Sequence, residues 1–447
     1  MASQDKRLIV SPDGRYLQRE DGSPFLYIGD TAWELFHRLS IDEAERYLTD
    51  RADKGFTVIQ AVVLAELDGL TVPNANGDLP LVDPKPGAPI TPNEPYFAHV
   101  DAIVRRANEL GLVIGMLPTW GRYWKKVASS QTGPDVGDDS CIFTTGNAKS
   151  FGEWIGTRYA SSDLIWILGG DRDIDTDEER ALLNAMATGL KSGDGGAHLC
   201  TFHPRGPGRS REQLDGVEWV DFHMCQTSHA AAGHDTGIFI DADYAMDPPM
   251  PTVDGEPRYE SIPVGFYLHG NDPAVRFTDY DARTAAWCAI LAGACGHTYG
   301  NNNIWQMYDE GRTPILGAAA PWHRAIAHPG ATQMGYMREL LESVGWWKLR
   351  PVAGSATFVV DGPDRGAAKI RAGLAPDGSV ALVYSPKGEP FSLRLTAMGG
   401  RTVRERWFNP RYGTLHPIHT ATNRSFQTYT PPTHGDECDW VLVLDVE

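Results

Sequence analysis

Short apolar runs and amphipathic stretches take turns along the chain from about residue 24 to residue 345. "PFLYIGD" (Pro24–Asp30) is a run that ends in a carboxylate, the pattern of a buried strand. "SIDEAERYLTDRADKG" then reads as a helix, with Ser40 and Glu43 spaced as a capping box and Gly55 as the stop. "TVIQAVV" (Thr57–Val63) is a second strand. In "EPYFAHVDAIVRRANELG", Phe97, Val100, Ile103, Val104, Ala107 and Leu110 share one helical face, Pro95 suits the first turn and Gly111 ends it. "LVIGMLPTWG" is a third strand, running to Pro118–Trp120. A helix around Ser150–Tyr159 leads to "DLIWILGGD", a fourth strand ending at Asp171, and a helical stretch follows over about 178–190. The later units are shorter. "LCTFHP" ends at His203, "WVDFHMCQTSH" near Gln226 and His229, and "PMPTVDGE" at Glu256. After the helix "DARTAAWCAILAGA", "CGHTYG" ends at Tyr299, and "ATQMGYMRELLESVG" closes the series as a helix.

Eight strands alternating with helices predict an α/β fold, a (β/α)8 TIM barrel over residues 1–350. From about Pro351 the pattern changes to short alternating runs between Gly, Pro and Asp turns, such as "ATFVVDG", "FSLRLTAM" and "DWVLVLDVE". They predict a C-terminal antiparallel β-sandwich over 351–447. The Pro/Gly/Asn-rich stretch from about Glu66 to Asn93 is long for a connector and reads as a functional insertion.

In such a barrel the chemistry gathers at the C-terminal strand ends. Here those ends carry Asp30, Trp120, Asp171, His203, Gln226, His229, Glu256 and Tyr299. Glycosidic hydrolysis needs two carboxyl groups, one to protonate the leaving oxygen and one to attack the anomeric carbon or to activate water. Asp171 follows a buried run and two glycines, which favours a raised pKa and leaves room for substrate. Glu256 ends the seventh strand; Glu260, past Pro257, stands as its rival or its support. Trp33, Trp120 and Trp305 are expected to offer stacking surfaces for a sugar, His203, Gln226 and His229 to bond its hydroxyls, and Tyr259 and Tyr299 to hold the nucleophile. Asp30 and Glu260 complete the expected substrate-binding set. Neither an H-x-H after the first strand nor an H-E-x-x-H helix accompanies these histidines, and His223 reads as a satisfied barrel histidine. No metal and no cofactor are expected, and no G-x-S-x-G elbow supports a serine nucleophile.

Composition narrows the partners. A formal net charge of -18 in 447 residues opposes phosphate-backbone binding, so no nucleic acid is expected. No apolar window of about 20 residues predicts a membrane span. The start "MASQDKRLIVSPDGRY" lacks a basic-then-apolar signal pattern, which favours a cytoplasmic location unless a signal has been removed. The six cysteines form no C-x-x-C pair. Oligomeric state leaves no mark in the sequence.

"YIGDTAWELFHRL", "LPTWG", "IWILGGDRD", "HPRG", "DFHMCQTSH", "DGEPRYE" and "GHTYGNNNIWQM", in this order over about Leu8 to Leu349, resemble the apiosidase-like glycoside hydrolases of family 140 and its relatives. The tail, with "RWFNPRYG", resembles the β domain labelled collagen-binding that follows such barrels. That label is a name; the resemblance implies a support domain. It further implies a (β/α)8 barrel that cleaves a terminal glycosidic bond, with the acid/base on Asp171 and the nucleophile on Glu256. Gly169-Gly170-Asp171 departs from the Asn-Glu that ends the fourth strand of many barrel glycosidases, and the shorter acid changes the distance to the leaving oxygen; a retaining mechanism is still the expectation. The expected enzyme is exo-acting and releases a terminal sugar, with a furanose such as apiose or arabinose as the candidate. Two other readings remain: a non-catalytic carbohydrate-binding barrel, which would keep the Trp platform without needing both carboxylates, and a metal-dependent barrel hydrolase built on His203, His223, His229 and Asp171.

Overall fold

The computed structural model describes residues 7–126, 140–265, 272–352, 357–400, 402–422 and 426–446. Eight parallel strands form the barrel wall: β1 (Tyr27–Thr31), β2 (Val58–Leu64), β3 (Val113–Thr119), β4 (Leu164–Gly169), β5 (Cys200–His203), β6 (His223–Gln226), β7 (Thr252–Asp254) and β8 (Gly296–Tyr299). Their hydrogen-bonded order is β5-β4-β3-β2-β1-β8-β7-β6, with Gly208–Arg209 added antiparallel beside β6. No strand ladder joins β5 to β6 among the described residues. The seam is closed by the Asp221 N–H on the Cys200 carbonyl (2.9 Å) and by the Thr201 hydroxyl on the Phe222 carbonyl (2.7 Å).

The helices between strands form the outer ring: α1 (Ile41–Asp53), α2 (Glu94–Glu109), α3 (Thr145–Tyr159), α4 (Asp177–Gly193), α5 (Ser210–Leu214), α6 (Gly237–Tyr244), α7 (Asp279–Leu291) and α8 (Pro329–Val344). The expected capping box at Ser40 and Glu43 is present, and Thr176 with Glu179 makes another on α4. α7 is buried from Ala282 to Leu291, because the barrel covers one side of it and the C-terminal domain the other.

That domain is an antiparallel six-stranded sheet faced by a three-stranded one. The strand Trp440–Val446 shows why residues 440–444 are an unbroken apolar run. Successive side chains point to opposite faces. Val441 and Val443 join the barrel core, while Trp440, Leu442 and Leu444 join the sandwich core. Both faces of this sheet are therefore covered, one by Trp287 of α7, which stacks on Tyr384 at 5.8 Å.

The stretch 66–93 is tied to the barrel top. Buried Glu34 accepts the Leu67 N–H at 2.9 Å, its neighbour His37 contacts the Val72 carbonyl at 3.0 Å, and Asn147 Nδ2 donates to the Ala88 carbonyl at 2.8 Å. Among the described residues no helix is long and apolar enough to cross a membrane.

Candidate active site

β4 ends in a turn that only this sequence pattern permits. Gly169, Gly170 and Asp171 all have positive φ (97°, 81° and 60°). A Cβ on Gly169 would lie 2.3 Å from the His203 carbonyl oxygen, and one on Gly170 2.8 Å from the Gly121 nitrogen. The turn is held from β3, where the Gly121 N–H donates to the Gly170 carbonyl (3.1 Å) and the Trp124 indole to the Gly169 carbonyl (2.7 Å). Asp171 is a non-glycine residue kept in the left-handed region, a conformation that persists only when its surroundings dictate it. Its side chain, 35% exposed, is the open member of a site whose other members are nearly covered.

His203, at the end of β5, bridges the two carboxyl-bearing loops. Its Nδ1 accepts the Asp171 N–H at 3.3 Å, and its Nε2 lies 3.0 Å from Glu256 Oε2. His229, three residues past β6, repeats the arrangement: Nδ1 accepts the Tyr259 N–H at 3.2 Å and Nε2 lies 3.0 Å from Glu256 Oε1. A ring nitrogen that accepts a main-chain N–H carries no proton itself, so each neutral imidazole presents its Nε2–H to the carboxylate. Burial alone would raise the Glu256 pKa, but the hydrogen bonds from His203 and His229 outweigh it and hold the carboxyl well below the usual range. Asp171 moves the other way. Desolvation, and then the negative charge of Glu256, push it up to about 7, against the opposing pull of Arg172 and Arg205. The Arg172 guanidinium stands 3.6 Å from its carboxylate.

Around this pair lie aromatic walls. Trp33 packs on Trp120 (5.3 Å between ring centroids) and edge-on to His203 (5.4 Å). Tyr259 packs on His229 at 4.2 Å, and burial followed by the Glu256 charge raises its phenol pKa. Trp120 Nε1 and Gln226 Oε1 are among the buried polar atoms that have no protein hydrogen-bond partner among the described residues. Both are available to a hydroxyl-rich ligand.

Of the residues expected at the mouth, the structure brings together Asp171, Glu256, His203, His229, Trp33, Trp120 and Tyr259. Gln226 sits under the loop at Gly206. Three go elsewhere. Asp30 is fully buried on the helix side of β1, bonded by Tyr47 (2.6 Å) and paired with Arg51 of α1. Tyr299 faces the same layer from β8, its hydroxyl 2.5 Å from Glu260 Oε2. Glu260 also accepts the Gly330 N–H (3.2 Å) at the start of α8. Asp30 and Tyr299 are register partners in adjacent strands, so they share one face, and that face is the outer one. Neither these two nor Glu260 is aimed at the carboxyl pair, which corrects their expected place. Trp305 stays near the mouth, but its indole bonds Asn302 at 3.1 Å and its carbonyl accepts the Glu34 N–H at 3.2 Å. His223 bonds Ser210 at 3.0 Å outside the barrel. Sequence reasoning did not single out Glu34 or Arg205; the only signal was their adjacency to strand ends. Among the described residues no group of three His, Cys, Asp or Glu side chains is arranged to hold a metal.

A carboxyl with a raised pKa beside one with a lowered pKa is the division that acetal hydrolysis uses. The comparisons agree with that chemistry. A family model described as "Apiosidase-like, catalytic domain" matches residues 11–348. The chain belongs to this family. A second model, described as "Putative collagen-binding domain of a collagenase", matches residues 355–445. A solved structure titled "Glycoside hydrolase" superposes with a TM-score of 0.86 at 30% identity, covering 99% of this chain and 97% of that one. A glycoside hydrolase family 5 structure from Bacteroides vulgatus gives a TM-score of 0.86 at 28% identity, covering 99% of this chain and 94% of that one. A family 5 mannosidase from Rhizomucor miehei shares only the fold, with a TM-score of 0.52 at 12% identity over 76% of this chain and all of that one (100%). No curated protein matches the sequence. The apiosidase-like chain is thus a glycoside hydrolase with a TIM-barrel catalytic domain and a C-terminal β domain.

Proposed function

We propose that this apiosidase-like enzyme is an exo-acting, retaining glycosidase that releases a terminal sugar, a furanose such as apiose or arabinose. In this reading Asp171 is the acid/base and Glu256 the nucleophile. The observation that carries it is the opposed ionisation of the two carboxyl groups on either side of His203. In the first step Glu256 attacks the anomeric carbon while Asp171 gives its proton to the departing oxygen, and the glycosidic bond breaks. In the second, the Asp171 carboxylate takes a proton from water, whose oxygen displaces Glu256 from the anomeric carbon. The two imidazole N–H groups keep Glu256 ionised between turnovers. Trp33 and Trp120 would flank the sugar, and Trp120 Nε1 and Gln226 Oε1 would bond its hydroxyls.

The test separates the roles by leaving group. An activated aryl furanoside needs little protonation, so Asp171→Ala should cleave it far better than an alkyl furanoside, while Glu256→Ala should lose both. Retention of the anomer in the first-formed product, read by NMR, is expected. An inverted product, or a Glu256→Ala variant at wild-type turnover, would overturn the reading.

A further inference from the structure

The loop that brings His229 to Glu256 is gripped by the C-terminal domain. Arg371, on a strand of its six-stranded sheet, is buried and makes a two-pronged bond to Asp235: Nε to Oδ1 at 2.8 Å and Nη2 to Oδ2 at 2.6 Å. The same guanidinium reaches Asp241 of α6 at 3.0 and 2.8 Å. Asp235 in turn accepts the Gly237 N–H (3.1 Å) at the start of α6 while it holds the arginine. The guanidinium lies flat on Gly237, where a Cβ would stand 2.4 Å from its Cζ. Next to Asp235, His234 receives Arg258 through its carbonyl (2.7 Å). Arg258 is two residues past Glu256 and precedes Tyr259, whose N–H sets the His229 tautomer. The other end of the loop is fixed by the Ser228 N–H on the Glu256 carbonyl (3.1 Å) and by the Gly265 N–H on the His229 carbonyl (2.9 Å). One connected path of bonds therefore runs from the β domain to the loop pair that carries His229 and Glu256.

We propose that Arg371 is a positioning residue for Glu256, through its clamp on the loop that presents His229. The inference rests on reading Glu256 as the nucleophile. An Arg–carboxylate fork fixes both distance and angle, and a displacement of about 1 Å at a reacting group can cost on the order of a hundredfold in rate. Glu256 touches His203 from β5, His229 from the β6 loop and Tyr259 from its own loop, and it lies within electrostatic reach of Asp171 and Asp254. His229 is the only one of these whose loop the β domain holds directly among the described contacts.

The experiment compares Arg371→Met, Arg371→Lys and Asp235→Asn with Arg283→Met, which breaks a second buried interdomain pair, Arg283–Asp439 (2.8 Å). Arg371→Met should lower kcat on an aryl furanoside about tenfold or more with KM nearly unchanged. It should also move the acid limb of the kcat/KM profile to higher pH, because Glu256 loses an N–H donor. Asp235→Asn should do the same, and Arg371→Lys should recover part of the rate. Hydrogen exchange over residues 228–236 should quicken in the Arg371 and Asp235 variants. Arg283→Met should lower Tm and leave the pH profile where it was. If the Arg371 and Asp235 variants match Arg283→Met, losing Tm but keeping kcat and the acid limb, the positioning role is wrong. A fully active Glu256→Ala enzyme would sink the nucleophile reading instead, and the exchange data would still report whether the clamp exists.

Discussion

At the scale of single residues, the decisive asymmetry is between two carboxyl-bearing residues joined through one imidazole, Asp171 by its main-chain N–H and Glu256 by its carboxylate. Glu256 meets two N–H donors; Asp171 meets a neighbour of its own charge and keeps one open side. The acid must be protonated to act, so kcat/KM should fall as pH rises through about 7. Glu256 stays ionised far below that, so the profile should be flat on the acid side until well under the ordinary carboxylate range. Arg172 opposes the protonated form of Asp171, and its removal should help the acid. In Arg172→Gln the basic limb should move up by on the order of half a pH unit, since the pair is partly open to solvent. A basic limb that stays fixed in this variant would show that Asp171 does not set it. The pair itself was legible in the sequence, because "WILGGD" and "PTVDGE" both run an apolar strand into a carboxyl group. The histidine tautomers were not, because they depend on main-chain N–H groups that only the folded loops aim.

At the scale of elements, alternation along strands decides which end residues reach the mouth. Each barrel strand was readable as an apolar run, yet a run buried on both faces does not announce which parity points inward. Asp30 and Tyr299 fell on the outer parity, where Asp30 joins β1 to α1 through Arg51. Asp30→Asn should leave the Arg51 charge short of a partner in the core. The expected loss is about 3–5 kcal/mol, toward the lower figure because Asp50 still meets Arg51 at 2.7 Å. KM for an aryl furanoside should stay within about twofold, since the pair lies behind the wall and not in the mouth. Denaturant unfolding together with steady-state kinetics checks both halves; a large KM change at unchanged stability would put Asp30 back on the substrate. Helix boundaries were far easier to read, because caps such as Ser40/Glu43 and stops such as Gly55 are local signals.

At the scale of the whole molecule, the six-stranded sheet belongs to two cores at once. The alternating pattern after residue 351 predicted a sandwich, but nothing in it said that the outer face would be buried against α7. Trp287, stacked on Tyr384 and 6.2 Å from Phe408, is the centre of that second contact. The chain should therefore unfold in one calorimetric transition. Trp287→Ala should cost about 3–5 kcal/mol and split that transition in two. Two well-separated transitions already in the unmodified chain would mean that the domains fold independently.

Among the described residues the barrel wall is knit by ladders everywhere except between β5 and β6, where one main-chain bond, the Thr201 hydroxyl and the Cys200 N–H on the Asp221 carboxylate (2.7 Å) hold the seam. His203 stands at the end of one bordering strand, and Gln226 and His229 at or just past the end of the other. Warming should part the wall there first, because the fewest bonds need to break. Turnover should then fade at a lower temperature than helical ellipticity, and on rapid cooling it should return, since the rest of the wall never came apart.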